Sequence, residues 1–204
     1  MTKPVVMSDN PLLREYLAAS KADHPGNGRP GAGQSYFMTR EQLRRKYAYA
    51  IPTEEALAFV AAGGPLVEMG AGTGYWAALL TARGADIIAY DQSPPGKTNN
   101  IWHKGATTWS DVHEGGPKVL AQHANRTLLL CWPPYESNFA LETLRAYRGK
   151  QLIYIGESRH GCTANADFFN RLEQEWERTD MCGLPTWEGL HDFVSSWRRR
   201  DDRN

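Results

Sequence analysis

The hydrophobic rhythm of the chain changes near residue 65. Before that point, apolar positions recur at helical spacing. Pro11–Ala19 reads as a short helix, with Asn10 at the N-cap and Pro11 at the first helical position. Lys21–Gln34, KADHPGNGRPGAGQ, has almost no apolar residues and reads as a flexible connection or a mobile loop. TREQLRRKYAYAI opens on Thr39 and Gln42, a capping-box pair, and its helical pattern runs to Pro52. PTEEALAFVAA begins a further helix, capped by Thr53 or entered through Pro52, and Gly63-Gly64 closes it.

From Pro65 onward, short apolar runs alternate with amphipathic segments. PLVEMG, ADIIAYD, RTLLLCW and QLIYIGE are predicted strands. YWAALLTARG, GGPKVLAQHA, NFALETLRAYRG and NADFFNRLEQEW are predicted helices. Ala106–Trp109 is a weaker strand, and LHDFVSSWRRR is predicted as an antiparallel last strand. Strands that alternate with helices imply an α/β fold, a sheet with helices on both faces. The continuous apolar runs fit strands buried on both sides. Residues 1–51 form an N-terminal helical extension in this reading, with its Gly/Pro-rich segment as a lid, and residues 52–204 form the α/β domain. Ligands of such sheets bind at the carboxyl ends of the strands.

Composition narrows the class. A chain of 204 residues suits one domain. Lys+Arg and Asp+Glu both number 23, for a formal net charge of zero. That balance argues against a protein gripping nucleic acid mainly through phosphates, and points instead to a small-molecule substrate. Nucleic acid and the oligomeric state stay open. The run Arg198–Arg200 is followed by Asp201 and Asp202 and reads as a solvated tail. Cys131, Cys162 and Cys182 are odd in number and widely spaced, as reduced thiols are, and no Cys/His spacing suggests a metal site. The first residues lack the apolar core of a signal peptide, and no apolar run approaches a membrane span. The expectation is a cytoplasmic protein with no membrane partner.

The strand ends carry the candidate chemistry. After the first strand come Glu68, Gly70, Gly72 and Gly74. Glycines let backbone N–H groups approach a ligand, and the next helix aims its N-terminus there. A dinucleotide fingerprint has its third glycine one residue later, where Tyr75 stands, and no Gly-Lys-Ser/Thr follows as in a P-loop. A carboxylate before the loop repels a pyrophosphate but suits an amino-acid ammonium. Asp91 ends the second strand, 23 residues beyond Glu68, at a spacing that serves ribose hydroxyls. A nucleoside with a ribose, no pyrophosphate and a cationic amino-acid tail describes S-adenosylmethionine.

EMGAGTG with the downstream AYD resembles the cofactor motifs of class I S-adenosylmethionine-dependent methyltransferases, and the resemblance covers the chain from about Pro65 onward. It implies a Rossmann-like, mixed seven-stranded sheet with helices on both faces and an antiparallel last strand. It places Glu68 and Gly70, Gly72 and Gly74 by the methionine moiety and Asp91 at the ribose. It assigns the adenine to a residue after the third strand, Asp111 or Val112. RRKYAYAIP resembles a flanking segment that closes over the cofactor, which brings in Tyr47, Tyr49 and Pro52, with ordinary helix packing as the alternative.

CWPPYE, Cys131–Glu136, resembles the D/N/S-P-P-Y/F/W motif of amino-methyltransferases, in which a side-chain oxygen accepts from the target amine. Trp132 stands where the acceptor belongs, and indole has only a donor. Trp132 and Tyr135 remain as stacking residues for a planar or amine-bearing substrate or a nucleobase. Cys131 joins the cofactor-binding candidates, with a nucleophile role as an alternative. Glu157 ends the next strand and is the candidate for substrate orientation or base work, while His160 reads as a general base or equally as an exposed loop residue, and Cys162 equally as packing under the loop. Trp187, His191 and Asp192 read as a turn before the last strand, with a loop bordering the pocket as the alternative, and His103 and His113 have no evident partner. The implied function is methyl transfer by in-line displacement. The alternative is a catalytically silent nucleoside- or partner-binding protein on the same fold.

Overall fold

In the computed structural model, the described residues are 9–23, 26, 28, 31–97, 100–103 and 105–200. Strands β1 (Leu66–Met69), β2 (Ile87–Asp91), β3 (Val112–Glu114), β4 (Thr127–Cys131), β5 (Gln151–Gly156), β6 (Trp176–Gly183) and β7 (Phe193–Arg199) form one sheet. Its order is β3-β2-β1-β4-β5-β7-β6. The first five strands are parallel, and β7 runs antiparallel to both β5 and β6. The direction of winding reverses between β1 and β4, which opens a crevice at their carboxyl ends.

β1 is buried at all four positions and β4 at the first four of its five, as the apolar runs require. Leu66 and Leu129 pack into one apolar cluster with α3 (Glu54–Ala61) and α4 (Tyr75–Ala82). Val67, Leu128 and Leu130 pack into another with α5 (Phe139–Ala146) and α6 (Ala166–Glu175). The helix starts follow local rules where the cap is side-chain made. Thr53 accepts the Ala56 N–H at 3.1 Å, and Asn165 accepts the Phe168 N–H at 2.9 Å.

Several elements depart from the sequence reading. α1 spans Pro11–Asp23, and α2 spans Ala32–Lys46. Thr39 is therefore inside a helix, not at its cap. The earlier start is a tertiary effect: Ala32 and Tyr36 are buried, and the Tyr36 ring meets Trp187 edge-on at 5.4 Å. Of the Gly/Pro-rich segment, residues 24, 25, 27, 29 and 30 lie outside the described residues, as do 1–8 and the tail 201–204. Side chains of α1 and α2, including Leu12, Tyr36 and Leu43, belong to the same apolar cluster as Leu66 and Val194 of the sheet.

The weak strand expected at Ala106–Trp109 is found at Val112–Glu114, and GGPKVLAQHA forms only a short 3-10 helix, Pro117–Gln122. β6 was not foreseen. Only Trp176 of its eight residues is buried, so it has no alternating signal, and it follows α6 without a break. Its charges suit an edge strand, and Glu177 pairs with Arg198 across the ladder at 3.4 Å. Among the described residues, no helix is long and apolar enough to cross a membrane.

Candidate functional site

A cleft of about 490 Å³ opens at the carboxyl ends of β1, β2 and β4. Five segments wall it: Tyr47–Tyr49, Glu68 with the glycine loop, Asp91–Ser93 with Asn100–His103, Cys131–Tyr135 with Ser137 and Phe139, and Cys162 from the loop after β5. Among the described lining residues, the carboxylates are Glu68 and Asp91, and no lysine or arginine appears.

The glycine loop follows from β1. Gly70, Gly72 and Gly74 have φ of 75°, 55° and 72°, a region that side chains disfavour. Contacts add a second constraint at two of them. A Cβ on Gly72 would lie 2.6 Å from His103 Nε2, and one on Gly74 would collide with Ser110 Oγ and Val112 Cγ2. The loop is tied down by its own backbone. Gly70 and Ala71 donate N–H bonds to the Tyr90 carbonyl, and Gly72 donates to Asp91 Oδ2 at 2.9 Å. Thr73 Oγ1 donates to the Tyr47 carbonyl, which fastens the N-terminal segment over the loop.

Glu68 is 1% exposed, and its Oε2 is buried with no hydrogen-bond partner among the described residues. Burial, and after it the charge of Asp91, pushes its carboxyl up to about 8. Asp91 is half-buried and accepts one N–H on each oxygen, from Gly72 and from Ser93 at 2.7 Å. Each oxygen keeps a further lone pair.

Trp132 holds φ of 50°, an uncommon value for a large side chain. Three contacts maintain it. Its N–H donates to the Ile155 carbonyl at 2.8 Å, its ring stacks on Tyr49 at 4.7 Å, and its indole N–H donates to Asp192 Oδ1 at 2.8 Å. Arg44 sits over the Tyr49 ring, 4.9 Å from its centre, and donates to its hydroxyl. Asp192 is 5% exposed, and its Oδ2 has no partner among the described residues. Burial pushes its carboxyl up to about 7. Asp192, read in the sequence as part of a turn with a place at the pocket's border as the alternative, is thus the brace behind Trp132.

The other expected site residues divide. Tyr47, Cys131 and Tyr135 line the cleft, and Tyr135 is exposed. Burial, then Glu68 and Asp192, holds the Cys131 thiol well above its usual range, which opposes a thiolate nucleophile. Asp111 and Val112 are off the cleft wall. The register places Val112 at the start of β3 beside Ala89, so both residues precede the carboxyl edge of their strand. Glu157 is 4% exposed and also off the wall. Its two oxygens accept the backbone N–H groups of Cys162 at 2.6 Å and His191 at 2.8 Å. Burial raises this carboxyl, those N–H bonds outweigh it, and the net direction is down. Its observed task is to clamp two loops. His160 lies off this wall, and Trp187 is core. His103, given no role in the sequence, lines the cleft, as do Asn100, Ile101 and Trp102. No sequence signal marks them, because they reach the cleft from an irregular segment after β2.

No family model matches the chain, and no curated protein matches it. Solved structures do. The 1,6-didemethyltoxoflavin-N1-methyltransferase of Burkholderia thailandensis, crystallised with 1,6-didemethyltoxoflavin and S-adenosylhomocysteine, is 17% identical. The match covers 98% of this chain and 94% of that one, with a TM-score of 0.50. The chain has the class I S-adenosylmethionine-dependent methyltransferase fold. The magnesium protoporphyrin IX methyltransferase of Synechocystis, with bound cofactor, matches 91% of this chain and 97% of its own at 12% identity and a TM-score of 0.42. In this methyltransferase fold the glycine loop follows β1 at the winding reversal and Asp91 ends the neighbouring β2, and the buried Glu68 carboxyl, with an oxygen unpartnered among the described residues, is of the right chemistry for a ligand ammonium.

Proposed function

We propose that the chain is an S-adenosylmethionine-dependent methyltransferase acting on a planar or amine-bearing small molecule or nucleobase. The observation that carries this reading is the orphaned Glu68 carboxyl on the cleft wall beside the glycine loop. A buried acid without a partner is costly, and a ligand cation removes that cost.

Bound S-adenosylmethionine supplies an electrophilic methyl group on a sulfonium. Glu68 holds its ammonium, Asp91 its ribose hydroxyls, and the side-chain-free wall at Gly70 and Gly72 allows close approach. Tyr47 covers the loop. Gln92 and Ser93, which line the cleft after β2, take the adenine position in place of Asp111 and Val112. Trp132 and Tyr135 orient a flat substrate by stacking, and Asp192 fixes the Trp132 plane. Glu157 acts on loop geometry and not on a substrate proton. Orientation and exclusion of water are the protein's main contributions to an in-line displacement. Lining acids without described cations favour neutral or cationic substrates over phosphate-bearing ones.

Calorimetric titration with S-adenosylmethionine tests the first step. We expect saturable binding, sharply weakened by Asp91→Ala. Absence of binding at millimolar cofactor overturns the reading. One observation favours the catalytically silent alternative: the Trp132 indole N–H is spent on Asp192, so this position offers the substrate no acceptor. Release of S-adenosylhomocysteine from a mixture of cofactor and cell metabolites separates the two.

A further inference from the structure

The segment Asn100–His103 carries chemistry that the motif pattern does not contain. His103 is 7% exposed and lines the cleft. Its Nδ1 lies 3.0 Å from the Arg45 carbonyl. A carbonyl only accepts, so the neutral ring carries its proton on Nδ1 and has a lone pair on Nε2. The ring is positioned from its own side of the sheet as well. Its backbone N–H donates to Asn100 Oδ1 at 2.6 Å, and the Asn100 amide donates to the Ser93 carbonyl at 2.5 Å. That chain of bonds joins His103 to the strand end that bears Asp91.

Both acceptors converge on Gly72. His103 Nε2 lies 2.6 Å from the position of an added Cβ, and Asp91 Oδ2 takes the glycine N–H at 2.9 Å. The missing side chain at Gly72 therefore leaves room for an imidazole acceptor beside a carboxylate acceptor. Two acceptors from separate segments, meeting at one residue of the wall, match a ligand with hydroxyl donors on adjacent carbons. Burial, the largest influence on this ring, lowers its affinity for a proton and keeps the acceptor form at neutral pH.

We propose that His103 and Asp91 together clamp a vicinal diol, with His103 Nε2 accepting one hydroxyl of a bound nucleoside. This rests on the cofactor reading above. His103 is in this view a ligand-contacting residue of the cleft and not a bystander of the loop.

The test is calorimetry with S-adenosylhomocysteine and its 2′-deoxy and 3′-deoxy forms. The proteins are the wild type, His103→Phe and His103→Gln, each checked for folding by thermal melting. We expect His103→Phe to weaken binding about tenfold, the worth of one hydrogen bond to a ligand. One of the deoxy ligands should lose affinity against the wild type but not against His103→Phe. His103→Gln, whose amide oxygen reaches toward the same place, should recover part of the difference. If His103→Phe fails to fold, the same coupling is read from His103→Asn, whose shorter amide stands in for Nδ1 and leaves the Nε2 acceptor position empty. Equal losses for all three ligands, or none, overturn the clamp while leaving the cofactor reading in place. A wild type that does not bind S-adenosylhomocysteine overturns both.

Discussion

Replacing Glu68 by glutamine separates stability from binding. In the folded protein the Glu68 carboxyl is pushed from 4.5 to about 8, chiefly by burial. The folded state keeps its proton up to about pH 8, while the unfolded chain releases it near 4.5. The folded state thus binds more protons through that window, and stability falls as pH rises through it. At 1.36 kcal/mol for each tenfold change, the loss reaches about 5 kcal/mol by pH 8. A side chain 1% exposed gains little from solvent screening, so no large discount applies. Glutamine carries no charge to bury, but its amide needs partners, which costs about 1–3 kcal/mol. Glu68→Gln should therefore be about 1–3 kcal/mol less stable than the ligand-free wild type at pH 4.5 and exceed it by about 2–4 kcal/mol at pH 8. Urea unfolding from pH 4.5 to 8 without ligand measures this. Binding should move the other way, with affinity for S-adenosylmethionine falling about 10–100-fold as a charge-assisted hydrogen bond is lost. Unfolding curves that stay parallel across pH, or a variant less stable than the wild type at pH 8, refute the reasoning.

Other substitutions test the frame around the site. Gly74→Ala forces a Cβ into a left-handed residue 2.7 Å from Val112 Cγ2, and should cost about 2–4 kcal/mol in chemical unfolding. Glu157→Gln turns an amide donor toward one of two backbone N–H groups. It should cost about 1–3 kcal/mol at pH 7 and narrow its deficit in acid, since a lowered carboxyl stabilises above its unfolded value and less as pH falls. Trp187→Ala should cost about 3–5 kcal/mol and expose amides of α1 and α2 to hydrogen exchange, because Trp187 packs edge-on against Tyr16 at 5.0 Å and Tyr36 at 5.4 Å. Trp187→Phe should cost less, since the buried indole N–H has no partner to lose among the described residues.

Some of this architecture is written in local order. β1, β4 and β5 are buried on consecutive positions and, Glu68 and Thr127 apart, apolar there, because helices cover both of their faces, so each strand shows in its own residues. Thr53 and Asn165 cap helices within three residues of themselves. The glycine loop shows for the same reason, since positive φ is a property of single residues and Glu68 and Asp91 stand at strand ends that the pattern locates. The class I cofactor-motif resemblance drew on the glycine loop, Glu68 and Asp91, and the segments RRKYAYAIP and CWPPYE were added to it.

The remainder was decided by contacts between distant segments. α2 extends back to Ala32 because Tyr36 finds Trp187, which lies far along the chain. β6 is a strand because β7 offers it a ladder, and its polar residues carry no period of their own. Trp132 looks like a lost acceptor until Asp192 is found behind its indole, 60 residues away. Glu157 looks like a base until Cys162 and His191 fill both its oxygens. His103 is silent in the sequence because its neighbours, Arg45 and Gly72, reach it only through the fold. Backbone preference and burial pattern act residue by residue and can be read from sequence. Which polar groups meet, and which buried carboxylate is left without a partner, depends on distances that only the folded chain sets.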